Sequence, residues 1–186
     1  MKQQRTRVRG FSLIEVLVAL IIIGVGMLGI AKIQALSYAS TGTASLRSLA
    51  AIEASSLASA MRANRNYWSV TAGTANTTQT IQVTNAAVTA STDGTLIGSA
   101  VDCSVTVCSN NAVLAAYDLS QWAKSLNTLL PSDTATVTCI PPATATYPVG
   151  CNITVRWVER QAGINAQSSG TATAMTAPSY TLYVEP

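Results

Sequence analysis

The chain has 186 residues, of which 48% are hydrophobic and only 10% charged. That length supports one domain with a modest core plus a terminal appendage and excludes a large multidomain enzyme, while the low charge excludes charge-rich disorder over most of the chain. Histidine is absent, which removes histidine general bases, His-centred triads and His-ligated zinc. The formal charge of +3 is unevenly placed: Lys2, Arg5, Arg7 and Arg9 are four of the eleven bases, leaving seven against eight acids. The basic excess therefore describes targeting of the amino terminus and not a nucleic-acid surface.

Residues 11–31, FSLIEVLVALIIIGVGMLGIA, contain a single ionisable side chain, Glu15. As a helix they extend roughly 31 Å, enough for a bilayer core. The bases before this segment and their scarcity after it (Lys32, then Arg47) put the amino terminus on the cytoplasmic side. Three readings compete. A cleaved secretory signal could use Ser37-Tyr38-Ala39 as its cleavage site, but such signals have a shorter apolar region and no acid within it. An ordinary signal anchor fits the length, yet leaves Glu15 costing on the order of 2 kcal/mol, less if the side chain reaches the interface. The third reading uses every feature together: a short basic leader, Gly10 at its end, Phe11 next, and Glu15 as the fifth residue after that boundary.

In this combination Arg9-Gly10-Phe11-Ser12-Leu13-Ile14-Glu15-Val16 resembles the class III signal of type IV pilins and type II secretion pseudopilins. The resemblance implies cleavage between Gly10 and Phe11 by a prepilin peptidase and methylation of the new amino group of Phe11. It also implies that Glu15 pairs with the amino-terminal amine of a neighbouring subunit. Such pairing is physically sensible, because a carboxylate in hydrocarbon is costly unless a cation meets it. The plainer alternative rests Glu15 in the headgroup zone. Many major pilins carry proline at the twenty-second mature position, where this chain has Lys32, so the resemblance leaves open how the helix deforms on assembly.

No proline precedes Pro131, so ring geometry does not end the helix early. Through residues 32–65, Leu46, Leu49, Ala50, Leu57, Ala60 and Met61 fall near a 3.6-residue period, with Lys32, Arg47 and Arg62 among the polar positions. Asn64-Arg65-Asn66 reads as the terminus, with an exit into the Thr/Gly/Asn stretch that follows. A helix from about Phe11 to Arg65 would be roughly 80 Å long. Gly24, Gly26, Gly29 and Gly42 weaken it by about 1 kcal/mol each relative to alanine, serving either local bending or close packing in the membrane.

Beyond Tyr67 hydroxyls replace charges as the solvating groups. Alternation predicts strands at Thr80–Thr84, Thr134–Ile140, Asn152–Glu159 and Ser179–Glu185, separated by Pro141-Pro142, Pro148 and Gly163 to Gly170. Ala115, Leu119, Trp122, Leu126 and Leu129 predict a helix over about 111–130, ended by Pro131. Asp118 reads as a capping or solvating residue, Trp122 and Trp157 as core, and Tyr67-Trp68 as a seal where stalk meets sheet or a surface pair.

Met61-Arg62-Ala63-Asn64, Asp118-Leu119 with Trp122, Leu129-Leu130-Pro131 and Ile153-Thr154-Val155-Arg156-Trp157 resemble the PilV-type minor pilins, also called type IV pilus modification proteins. The expected fold is α+β and pilin-like: a long amino-terminal helix packed on an antiparallel sheet of about four strands, with one additional helix. The expected organisation is a leader at 1–10, a transmembrane and filament-core helix at 11–31, its amphipathic continuation at 32–66 and a periplasmic head at 67–186.

Cys103, Cys108, Cys139 and Cys151 all follow the membrane segment, on the periplasmic side, and are even in number, which suits disulfides. Of three connectivities, Cys103–Cys108 and Cys139–Cys151 close short loops and contribute roughly 2 and 3 kcal/mol. A four-thiolate zinc site lacks its paired C-x-x-C knuckles, and a redox dithiol lacks a C-x-x-C at a helix start. No phosphate loop, metal-loop spacing or catalytic set appears, and neither cofactor nor metal is expected.

The resemblance thus implies a non-enzymatic minor pilin that helps to initiate pilus assembly and modulates adhesion or motility, at or near the tip. Its partners would be other minor and major pilins, the prepilin peptidase, the inner-membrane assembly machinery and, before assembly, the membrane itself. It would sit in the inner membrane with its head in the periplasm, then in the pilus. An I-type pseudopilin of a type II secretion system, a pilus-borne adhesin or DNA receptor, and a membrane-anchored enzyme are the alternatives. Residues 32–186 balance seven bases against seven acids, which argues against strong nucleic-acid binding.

Overall fold

A computed structural model describes residues 10–74, 77–98, 101–141, 148–159 and 177–186. Its elements run α1 (Leu13–Ala63), α2 (Arg65–Thr74), β1 (Gln79–Thr84), β2 (Ala87–Ser91), a 3-10 turn (Gly94–Leu96), α3 (Asn111–Leu129), β3 (Thr134–Ile140), β4 (Gly150–Arg156) and β5 (Ser179–Val184). The architecture is α+β and pilin-like. Contacts within the chain divide it into two units, residues 1–41 and 42–186, with the boundary inside α1.

In the first unit, the helical residues from Leu13 through Tyr38 are exposed along their whole length, Leu20, Ile22, Val25 and Leu28 included. This stretch is apolar on all sides and exposed among the described residues, and it is long and apolar enough to cross a membrane. The leader bases lie outside the described residues.

In the second unit α1 becomes one-sided. Ala50, Ala54, Leu57, Ala58 and Met61 are buried in the core, following the 3.6-residue period. They share that core with Ala115, Ala116, Leu119, Trp122, Ala123 and Leu126 of α3. The two helices are also tied by polar bonds. The Trp122 indole donates to the Glu53 carbonyl at 2.9 Å, and the Asn64 side-chain amide donates to the Asn111 carbonyl at 2.8 Å. Asn110 caps α3, its side chain accepting from the Val113 amide at 2.9 Å.

The sheet is antiparallel throughout, in the order β2-β1-β3-β4-β5. Its inner face presents Ile81 and Val83, then Ala135, Val137 and Cys139, then Cys151, Ile153 and Val155, all buried. The alternate positions, Thr80, Gln82, Thr136, Thr138, Thr154 and Thr181, point away from that core and are more open to solvent, the period of two expected of a sheet with one covered face.

Five strands stand where four are expected. The additional one, β2, pairs with β1 through a two-residue turn at Asn85-Ala86, both at positive φ (52° and 62°). Such turns usually announce themselves by glycine; here alanine holds the left-handed position, and the strand that follows is small and polar. The strand expected over 152–159 instead runs Gly150–Arg156, although the Trp157 amide still bonds the Pro178 carbonyl at 3.3 Å. The expected exit after Asn64 is also corrected. The chain breaks there for a single residue and resumes as α2, because the Asn64 carbonyl accepts from the amides of Tyr67 and Trp68 at 3.1 and 3.3 Å. Most of the loops expected around Pro142 and over 163–170 fall outside the described residues.

Candidate functional site

The segment that carries the signal-like motif has a simple geometry. Gly10 is exposed, with open space where a side chain would stand. Phe11 is 84% exposed. The helix starts on Ser12, whose carbonyl accepts from the amides of Glu15 and Val16 at 3.0 and 3.3 Å. Glu15 is thus an acid in the first helical turn, where the unpaired amides of a helix start favour negative charge. Its carboxylate is exposed, and no cation meets it among the described residues. The described segment is an exposed Gly10–Phe11 peptide bond, a helix start and one carboxylate just inside an apolar rod.

The four cysteines form two disulfides, Cys103–Cys108 and Cys139–Cys151, with Cα separations of 5.3 and 4.0 Å. The second joins residues directly opposite each other on β3 and β4, and both of its cysteines are fully buried on the core face. It therefore staples the centre of the sheet. Among the described residues no thiol is free.

Three polar anchors fix the head around these bonds. Arg47 makes two hydrogen bonds to the Glu159 carboxylate, at 3.0 and 3.2 Å, joining α1 to the segment after β4. The Trp157 indole also donates to Glu159 at 3.2 Å. Together these donors, Arg47 first, hold the Glu159 carboxyl below its usual range. Tyr67 donates to Asp93 at 2.6 Å; burial, with Asp93 second, pushes its phenol well above the ordinary range. Tyr67 and Trp68 are both buried and meet edge to face at 5.1 Å, as a seal between helix and sheet requires. Trp122 and Trp157 are also buried in the core.

Of the two roles expected of Asp118, capping is excluded, and its partly exposed position leaves the solvating one. It lies in the middle of α3, far from either cap, and lines a cavity between α3 and α1 together with Glu53. Glu53 is a buried acid that the apolar periodicity of α1 conceals. Its only sequence signal is an acid flanked by the stripe positions Ala50, Ala54 and Leu57.

Residues 5–31 match the family described as the prokaryotic N-terminal methylation motif. No curated protein and no solved structure matches the chain. The motif carries the class III signal and supports a type IV pilin or pseudopilin in general. It implies processing by a prepilin peptidase and an assembly context, and it favours a structural role. With the exposed apolar helix behind it, the motif is consistent with anchoring in a membrane before assembly.

Proposed function

We propose that the chain is a minor pilin of the PilV type. It is made as a membrane-inserted precursor, cut between Gly10 and Phe11, methylated on Phe11 and built into a type IV pilus through its amino-terminal helix. The observation that carries this reading is the methylation motif over residues 5–31, which takes in the start of a span-length apolar helix that is exposed among the described residues. Leader 1–10 then serves targeting, helix 11–31 anchoring and packing, continuation 32–66 coupling, and head 67–186 display. The head faces the periplasm before assembly, which suits its disulfides, and the subunit works at or near the pilus tip, helping initiation and modulating adhesion or motility.

In a filament Glu15 meets the amine of Phe11 from a neighbouring subunit, which supplies a cation that it does not meet among the described residues. The decisive experiment is fractionation with a deletion strain. The protein should co-purify with sheared surface filaments, and its loss should lower pilus number. Recovery only from the envelope, with normal piliation and defective secretion, would overturn the pilus assignment in favour of a secretion pseudopilin.

A further inference from the structure

The two disulfides sit in opposite surroundings. Cys139 and Cys151 are fully buried and face each other across β3 and β4. Cys103 and Cys108 are both partly exposed, five residues apart in the stretch 101–110 between the 3-10 turn and α3, which carries neither helix nor strand. No rung of the sheet depends on this bond. The stretch has its own supports. Asp102 Oδ1 accepts the Ser104 amide and hydroxyl at 2.9 and 2.6 Å, and the Asp102 carbonyl accepts the amides of Val105 and Thr106 at 3.2 and 3.0 Å. Ser104 first, then Tyr117 and Lys124 of α3, lower the Asp102 carboxyl pKa, which places that residue beside the helix. At the other end Asn110 caps α3. Both ends of the loop are therefore held by contacts other than the disulfide.

Between the two cysteines stand Val105 and Val107, 83% and 91% exposed. The covalent bond that closes their loop fixes how they are presented. Thiol–disulfide exchange needs an attacking thiolate to reach a sulfur. A dithiol in solution reaches Cys103–Cys108 in the folded head, whereas Cys139–Cys151 becomes reachable only when the sheet opens. We propose that Cys103–Cys108 is a redox-operated clasp on this loop. A dithiol reductant opens it while the head stays folded, and opening releases Val105 and Val107 from their fixed presentation. One thiolate of the reductant attacks a cysteine sulfur, the Cys103–Cys108 bond breaks, and the released cysteine takes up a proton. The second thiol of the reductant then loses its proton and displaces the other cysteine, which is protonated in turn. The reductant leaves as a disulfide, and its two electrons remain with the two protein thiols.

The test uses the full chain in detergent, with dithiothreitol as the reductant and iodoacetamide to trap free thiols, read by peptide mass spectrometry. Cys103 and Cys108 should be trapped at least about tenfold faster than Cys139 and Cys151. Over that first phase the methyl NMR signals of Val105 and Val107 should shift, while those of the core residues Val137 and Ile153 stay in place. Equal trapping rates, earlier trapping of the buried pair, or core signals that move with the first phase would overturn the clasp. So would valine signals that ignore the opening. The Cys103→Ser/Cys108→Ser variant gives an independent reading: without reductant it should remain folded, keep the wild-type Val137 and Ile153 signals, and show the shifted Val105 and Val107 signals. Failure of this variant to fold, or valine signals matching those of the oxidised wild type, would equally overturn the proposal.

Discussion

The two halves of α1 share one backbone geometry and have opposite surroundings. From Leu13 to Tyr38 its side chains are exposed on every face; from Ala50 to Met61 a single stripe is buried against α3 and the sheet core, and the other positions are mostly polar or small, with Ile52 exposed. The comparison teaches that helical propensity alone does not distinguish an element folded for its own chain from one built for other molecules. What distinguishes them is whether the apolar surface is narrow enough to be covered from within. The first half is helical and apolar all round and lies exposed, long enough to cross a membrane; the second half has its partners in the head.

Substitutions can break this contrast or sharpen it. The largest effect is expected at Glu15. Glu15→Ala should leave membrane insertion intact yet lower filament incorporation by about two orders of magnitude, the scale of removing one member of a buried charge pair; quantitative blotting of filament and membrane fractions checks it. Next comes the buried stripe. Leu57→Ala should destabilise the head by about 2–5 kcal/mol, whereas Ile22→Ala in the exposed half should leave head stability within roughly 0.5 kcal/mol, both read by thermal melting in detergent.

A smaller effect is expected at Asp133. It is 3% exposed, and its Oδ2 is buried without a hydrogen-bond partner. Burial raises its pKa above the ordinary value of 3.8. The folded state therefore binds the proton more tightly than the unfolded chain. Its contribution favours folding below the ordinary pKa and is lost as pH rises through the folded-state value. Asp133→Asn should flatten that part of the pH–stability curve and raise stability at neutral pH by about 1 kcal/mol. The smallest change is Ala86→Gly in the β1–β2 turn, where relief of the positive φ is offset by extra freedom in the unfolded chain, for a net gain of about 0.5 kcal/mol.

Much of this was legible in the residues because it is local. Gly10, Phe11 and Glu15 carry their meaning in a fixed spacing ahead of an apolar run. The stripe of α1, the face of α3 and the alternation of β1, β3, β4 and β5 follow from periods of 3.6 and 2 that side-chain geometry enforces. The two disulfides join the cysteines that close the shortest loops. The features that escaped are those decided by distant partners or by atypical turn chemistry. β2 follows a turn whose second residue is alanine where glycine is usual. α2 resumes because one carbonyl, that of Asn64, receives two amides. Asp118 looks like an ordinary helix-surface acid until α1 is placed beside it, and Glu53 is concealed by the apolar pattern it interrupts. Periodicity reports which face is covered and leaves unstated what covers it.

The central claim is that the amino-terminal segment is a processed, partner-seeking helix, and intact mass measurement of the native protein tests it most directly. The account predicts a chain beginning at Phe11, carrying one added methyl group and lacking four thiol hydrogens to its two disulfides. A full-length chain with residues 1–10 still attached, or one cut after residue 39, would contradict it.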